Sequence, residues 1–226
     1  MQEDRVSIPL GHGLPPVSGI MTLPTAFQPG TGTGIIIAHG AANTMELPLL
    51  VAFTRGLAKA GYPSLRFNFP YSDQRKKSPD PQMVLEQTWL AASHFFARSP
   101  QYKPAAIVGA GKSMGGRVMA QLMAKKAMRL EKLIFLGYPL HAPGRKEQLR
   151  AAHLYEIIVP QLYFAGTRDS LCDLGSMQTV LNKLPAPWKL EIIEGGDHSF
   201  HLPKTMGREE AEVFKTIIEK TIRWLT

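Results

Sequence analysis

The stretch GAGKSMGGR, residues 109 to 117, follows the apolar run PAAIV and opens a helix-like run. Its residue types fit two chemistries. Gly111-Lys112-Ser113 is how a phosphate-binding loop ends, with the lysine on phosphates and the hydroxyl on Mg²⁺. Gly111-Lys112-Ser113-Met114-Gly115 is also a G-x-S-x-G elbow, which exposes a serine as a nucleophile at a strand-to-helix turn. A phosphate loop needs a glycine five positions before the glycine of its G-K-S, and that position holds Ala106, inside the apolar strand pattern. The other glycine-rich stretch, PGTGTG at residues 29 to 34, precedes its strand and so cannot offer helix N-terminal amides to a phosphate; it reads as a plain turn. The elbow is the better fit on steric grounds. Its serine takes a strained backbone, and Gly111, Gly115 and Gly116 let strand and helix close around it.

A serine hydroxyl attacks poorly at neutral pH unless a base takes its proton and an acid orients that base. The chain supplies both downstream. Asp169 follows QLYFAGTR and His198 stands in EGGDHSFH, each beyond an apolar run. Serine, aspartate and histidine in this order, at three strand ends, are expected to form the triad Ser113, Asp169 and His198. Asp173 is expected instead to cap the next helix.

Three residue types at three strand ends share one edge when the strands run parallel in one sheet, and the remaining pattern provides that. Strands are expected at residues 33 to 40, 63 to 71, 104 to 111, 130 to 139, 160 to 169 and 188 to 196. Helices are expected at 48 to 61, 83 to 98, 114 to 127, 174 to 184 and 209 to 225. A short antiparallel lead-in through VSGIMTLPTAF precedes them. Near-continuous apolar strands alternating with helices imply an α/β fold, a mostly parallel doubly wound sheet with helices on both faces, and ligands beyond the carboxyl ends of its strands. Only a short segment, with room for one short helix, separates Pro139 from Pro160, so the lid is expected to be minimal.

The motifs AHGAANTM, LRFNFPY, GKSMGGR, GTRD and GGDHSF, in that order, resemble those of an α/β-hydrolase of the dienelactone-hydrolase-like branch, and more closely a group of small predicted hydrolases related to testis-expressed protein thirty. The likeness runs from about residue 17 to the end. It implies an eight-stranded type of sheet with Ser113, Asp169 and His198 as triad. Dienelactone hydrolases use a cysteine where this chain has Ser113, so their lactone substrate does not carry over. In hydrolases of this build the loop after the first core strand donates an amide to the oxyanion, which makes Ala41 N–H one expected donor and Met114 N–H the other. His39 is expected to hold that loop by a hydrogen bond. Asn43, Tyr71, Lys112, Tyr138 and His141 flank strand ends and are candidates for the pocket wall together with His39.

The 226 residues, 44% hydrophobic and without low-complexity tracts, suit a single domain over residues 1 to 226. No apolar run reaches the roughly 18 to 20 residues of a membrane span, and the first residues lack a basic-then-apolar leader pattern, so a cytoplasmic protein is expected. The single cysteine, Cys172, excludes an internal disulfide and a thiolate pair for zinc, and reads as a bland, partly buried side chain. The net charge of +8 is spread over short basic groups and not gathered into a nucleic-acid patch, though it can favour anionic substrates. The expected activity is metal-independent and cofactor-free hydrolysis of a small carboxylic ester or thioester. The alternative is a catalytically silent interaction module on the same scaffold.

Overall fold

In a computed structural model describing residues 1–11 and 13–226, the chain forms one eight-stranded sheet in the order β1-β2-β4-β3-β5-β6-β7-β8. The strands are β1 (Gln2–Ile8), β2 (Val17–Leu23), β3 (Thr33–Ala38), β4 (Ser64–Phe67), β5 (Ala106–Lys112), β6 (Leu133–Leu136), β7 (Gln161–Gly166) and β8 (Trp188–Ile193). The first two form the expected antiparallel lead-in, β2 lying antiparallel to both β1 and β4, while β4, β3, β5, β6, β7 and β8 run parallel. His12, which falls within the lead-in, lies outside the described residues.

Alternation along the central strands decides which helices cover which face. Ile35 and Ile37 of β3, with Val108 and Ala110 of β5, pack against α1 (Pro48–Lys59) and α6 (Glu210–Leu225). Ile36 and Ala38 turn to the other face, toward α3 (Gln82–Arg98) and α4 (Met114–Ala124), where Trp89, Phe96, Val118 and Met119 are fully buried. Two apolar clusters thus sandwich the sheet, as continuous strand hydrophobicity requires. The short α2 (Pro70–Asp73) and α5 (Leu174–Leu181) complete the helices; Asp173 caps α5 by accepting from Ser176 N–H.

The expected strands overran the observed ones where local chemistry ended pairing. Residues 69 to 71 leave the sheet because Pro70 stands at the start of α2, where its fixed φ suits a helix and its missing N–H would break a ladder. Strand β6 stops at Leu136 because Gly137 takes φ +70°, and α4 stops at Ala124 before Lys126 at φ +55°. Asp169 does not end β7 directly. It sits three residues beyond Gly166 in a tight turn, its amide donating to the Gly166 carbonyl.

One buried cation ties the lead-in to the sheet. Arg66 on β4 is 1% exposed, and its guanidinium donates to Glu3, Thr22 and Thr54. Glu3 also accepts from Arg55 of α1 at 2.7 Å. The Arg55 hydrogen bond, aided by Arg66 and opposed by partial burial, holds the Glu3 carboxyl down to about 2 from its usual 4.5. Because the folded value lies below the unfolded one, this stabilisation is complete above about pH 4.5 and is lost as pH falls toward 2. The thermal midpoint should therefore fall on acidification through that window, and Glu3→Gln, whose midpoint is lower at pH 7, should show a flatter decline.

Candidate active site

The elbow is built by close packing. Ser113 takes φ 50° and ψ −116°, a left-handed backbone that a non-glycine residue adopts at a cost of about 1–3 kcal/mol. That strain is held because α4 lies nearly against the strands. A side chain at Gly111 would overlap the Gly116 backbone, and one at Gly115 would come within 2.5 Å of the His39 carbonyl. From the helix side, Trp89 Nε1–H donates to the Gly115 carbonyl at 3.0 Å.

At the same sheet edge three side chains are linked in a row. Ser113 Oγ lies 2.8 Å from His198 Nε2, and His198 Nδ1 lies 2.9 and 3.0 Å from the two oxygens of Asp169. The Asp169 carboxylate is fully buried and also accepts from Leu171 N–H at 2.8 Å, while His198 keeps part of its ring exposed. With carboxylate only accepting, Nδ1 carries the proton. Nε2 is then free to accept from the serine hydroxyl.

Two further loops frame the serine. Gly40 follows β3 and leads into Ala41, and its Cα comes so close to Ser113 that an added Cβ would lie 3.2 Å from the serine Cβ. Met114 begins α4, so its amide is one of the first-turn N–H groups that have no partner within a helix, at the end where the helix dipole favours negative charge. Ala41, Ser113 and Met114 share the wall of one cavity of about 440 Å³.

His39 braces the loop. Its Nε2 accepts from Phe69 N–H at 3.2 Å, its Nδ1 lies 2.8 Å from the Gly40 carbonyl, and the Tyr71 hydroxyl donates to that carbonyl at 3.0 Å. One nitrogen accepts and the other donates, so the ring is neutral, in keeping with burial driving its pKa down to about 4.

The residues singled out as pocket wall have other duties. Among the described residues, His39, Asn43, Tyr71, Lys112, Tyr138 and His141 are absent from the wall of the Ser113 cavity. Lys112 points behind the elbow, where Nζ donates to the His198 carbonyl at 2.8 Å and burial lowers its pKa to about 8; with Asn43 it borders a separate cavity of about 310 Å³. The Asn43 side chain closes its own turn on the Ala41 carbonyl. Tyr138 O–H donates to the Arg150 carbonyl, and His141 accepts from Asp173 N–H. Strand-end position brought these residues near the site, but their side chains turn inward to satisfy loop backbone. The cavity is lined instead by Asp80, Gln82, Leu85, Arg117, Arg150 and Leu171 among others. Arg117 was legible in principle: it stands in the first turn of the helix that follows Ser113, and its N–H donates to the Ser113 carbonyl.

A larger cavity of about 670 Å³ lies near Met128, Leu130 and Ile157, away from Ser113. Its polar wall residues include no serine, cysteine or histidine, so volume alone does not mark the chemistry. Cys172 is buried, and burial pushes its thiol up to about 12, the inert state expected for it. Among the described residues no three histidine, cysteine or acidic side chains converge to hold a metal.

The fold agrees with what is known of other proteins. Residues 31–226 match the family model described as an alpha/beta hydrolase domain, and the chain belongs to that family. Among solved structures it is similar to a dienelactone hydrolase from Anabaena variabilis, with a TM-score of 0.76 at 20% identity over 99% of this chain and 96% of that one. It also resembles a serine hydrolase from Xanthomonas campestris described as lacking a lid, with a TM-score of 0.72 at 18% identity over 99% and 95% of the two chains. An esterase domain from Rhodothermus marinus superposes with a TM-score of 0.70 at 17% identity over 99% of both chains.

The brace sets a test. His39→Ala strands the buried Phe69 N–H and should cost about 1–3 kcal/mol in denaturant unfolding, with His39→Gln costing less. Since the folded pKa of His39 lies below the usual 6.5, its contribution is intact above pH 6.5 and is lost as pH falls from there to about 4. Equal stabilities of wild type and His39→Ala at pH 7 would remove the brace.

Proposed function

We propose that the chain is a serine hydrolase that cleaves a carboxylic ester or thioester through Ser113, His198 and Asp169. The observation that carries this reading is the unbroken hydrogen-bonded row from serine to aspartate at the foot of a cavity. The family membership and the hydrolase neighbours support it, and the whole chain reads as one hydrolase domain.

The reaction follows from the geometry. Ser113 Oγ forms a bond to the substrate carbonyl carbon as its proton passes to His198 Nε2, and the carbonyl π electrons move to oxygen. Asp169, accepting from Nδ1–H, stabilises the imidazolium and fixes its tautomer. The N–H groups of Ala41 and Met114 receive the oxyanion, a contribution on the order of 3 kcal/mol for each donor. Collapse breaks the bond to the leaving group, which takes the proton from His198 and departs as alcohol or thiol. Water then attacks the acyl-enzyme, giving its proton to His198, and the second collapse returns the proton to Ser113 and releases the carboxylic acid. No cofactor enters these steps.

A fluorophosphonate probe with peptide mapping should modify Ser113, and Ser113→Ala should abolish labelling and ester hydrolysis. Labelling of a different residue, or full activity in the alanine variant, refutes the reading and favours a silent interaction module. Asp169→Asn should lower kcat by roughly 10⁴-fold, the scale seen when a triad imidazole loses its tautomer, whereas Asp173→Asn, at the α5 cap, should have a small effect on kcat.

The segment between β6 and β7 carries only a single short 3₁₀ turn, Ala152–Glu156, and the 440 Å³ cavity is open to solvent. Each buried methylene is worth about 0.8 kcal/mol, so a deep apolar tunnel would reward chain length steadily while a shallow site stops early. For p-nitrophenyl esters, kcat/KM should peak between acetate and butyrate. A continued rise through decanoate would show a deeper acyl site.

A further inference from the structure

The wall of the Ser113 cavity carries two guanidinium groups, those of Arg117 and Arg150. Arg117 lies one helical turn beyond the nucleophile, its amide donating to the Ser113 carbonyl at 3.0 Å, and its side chain is half-buried. Arg150 comes from the segment after β6. Its backbone is pinned at both ends, the amide donating to the Leu140 carbonyl at 2.7 Å and the carbonyl accepting from Tyr138 O–H at 2.8 Å. Since that hydroxyl proton is committed, the Tyr138 oxygen accepts from His153 Nε2 at 2.7 Å, and His153 is kept neutral by burial.

Burial, and after it the charge of Arg150, work against the Arg117 guanidinium and lower its pKa. No carboxylate among the described residues forms an ion pair with either, whereas the buried Arg66 pairs with Glu3 and Glu46. The acid on the same wall, Asp80, accepts from the Tyr71 amide at 2.8 Å and, among the described residues, forms no ion pair with Arg117 or Arg150. Two like charges on one cavity wall without an ion-paired acid, one of them partly desolvated, favour an anion that joins them. Guanidinium forks match carboxylate and phosphate oxygens in geometry as well as charge.

We propose that this cavity takes an ester or thioester that carries a carboxylate or phosphate group, held by Arg117 and Arg150 while Ser113 attacks the carbonyl. The proposal rests on the serine-hydrolase reading above and names its substrate class. The roughly 440 Å³ of space suits the acyl group and anion of a small ester, and the net charge of +8 draws anions toward it.

The test uses matched pairs of esters that differ in one charge: mono-p-nitrophenyl glutarate against p-nitrophenyl butyrate, with the anion on the acyl side, and 4-acetoxybenzoate against its methyl ester, with the anion on the leaving side. In at least one pair the charged member should have the higher kcat/KM, by about tenfold or more, the scale of a hydrogen bond to a charged group. That ratio should fall by a similar factor in Arg117→Met and in Arg150→Met, and it should shrink with added salt. Arg150 is exposed, which makes its variant the safer one for folding, and Arg145→Gln, off the cavity wall, should leave the ratio unchanged. If no ester in either pair is turned over although the probe labels Ser113, protection decides: glutarate or inorganic phosphate should slow labelling of the wild type and lose that effect in Arg150→Met. A preference for the neutral member in both pairs, a preference that survives both arginine changes, or labelling indifferent to both anions overturns the proposal while leaving the hydrolase reading intact. Absence of both labelling and turnover overturns the hydrolase reading, and this one with it.

Discussion

The site depends on how closely α4 approaches the strands beneath it. Gly111 and Gly115 have no side chains because backbone atoms of α4 and of the loop after β3 occupy the space a Cβ would need. That closeness forces Ser113 into its left-handed conformation, lifts its hydroxyl clear of the sheet edge, and starts α4 with its unpaired amides beside the hydroxyl. Widening the gap by even one methyl group would free the turn to relax. Ser113, the Met114 amide and the Arg117 side chain would then shift together, since all three belong to α4 or its N-cap.

The strands on either side deliver the partners. With β5 between β3 and β6, and β7 next to β6, the carboxyl ends of parallel strands fan out along one edge. The loop after β3 brings Ala41, the turn after β7 brings Asp169, and the turn after β8 brings His198 back across to Ser113. This return is secured from behind. Lys112, beside the serine in sequence but pointing the other way, reaches the His198 carbonyl and lies over the Phe200 ring. A buried lysine is an expensive way to hold one carbonyl. What it gains is a direct link between the end of β5 and the loop that carries His198, alongside the fields of Asp169 and Asp197, which favour its charge.

Electrostatically the two sides of the elbow differ. Behind it, charges are matched or compensated. In front, at the cavity, Arg117 and Arg150 face solvent and the serine without an acid of their own. Preorganised cations in a partly desolvated cleft act on a ligand more strongly than the same charges on an open surface, because less water screens them. The short segment that carries Arg150 therefore serves a different end from an apolar lid: it adds charge where a longer insertion would add hydrophobic cover.

The order of elements and the parallel sheet were legible in the sequence because they follow from local rules, and the same rules point to Ser113, Asp169 and His198 as the proposed triad. Apolar runs fix the strands, glycine spacing betrays the elbow, and strand ends are where a parallel sheet presents side chains. The element boundaries were less legible, since Pro70 and Gly137 end strands whose apolar runs continue past them. The pocket wall was not legible. His39, Tyr71, Lys112 and Tyr138 stand at the right places along the chain, but which way a side chain turns there depends on which buried N–H or carbonyl needs a partner, and those partners come from distant segments such as Phe69, His198 and Arg150. Only the folded arrangement could bring Arg117 and Arg150 to one cavity without an ion pair to an acid, because pairing of charges across the chain is a property of three-dimensional distance and leaves no local pattern.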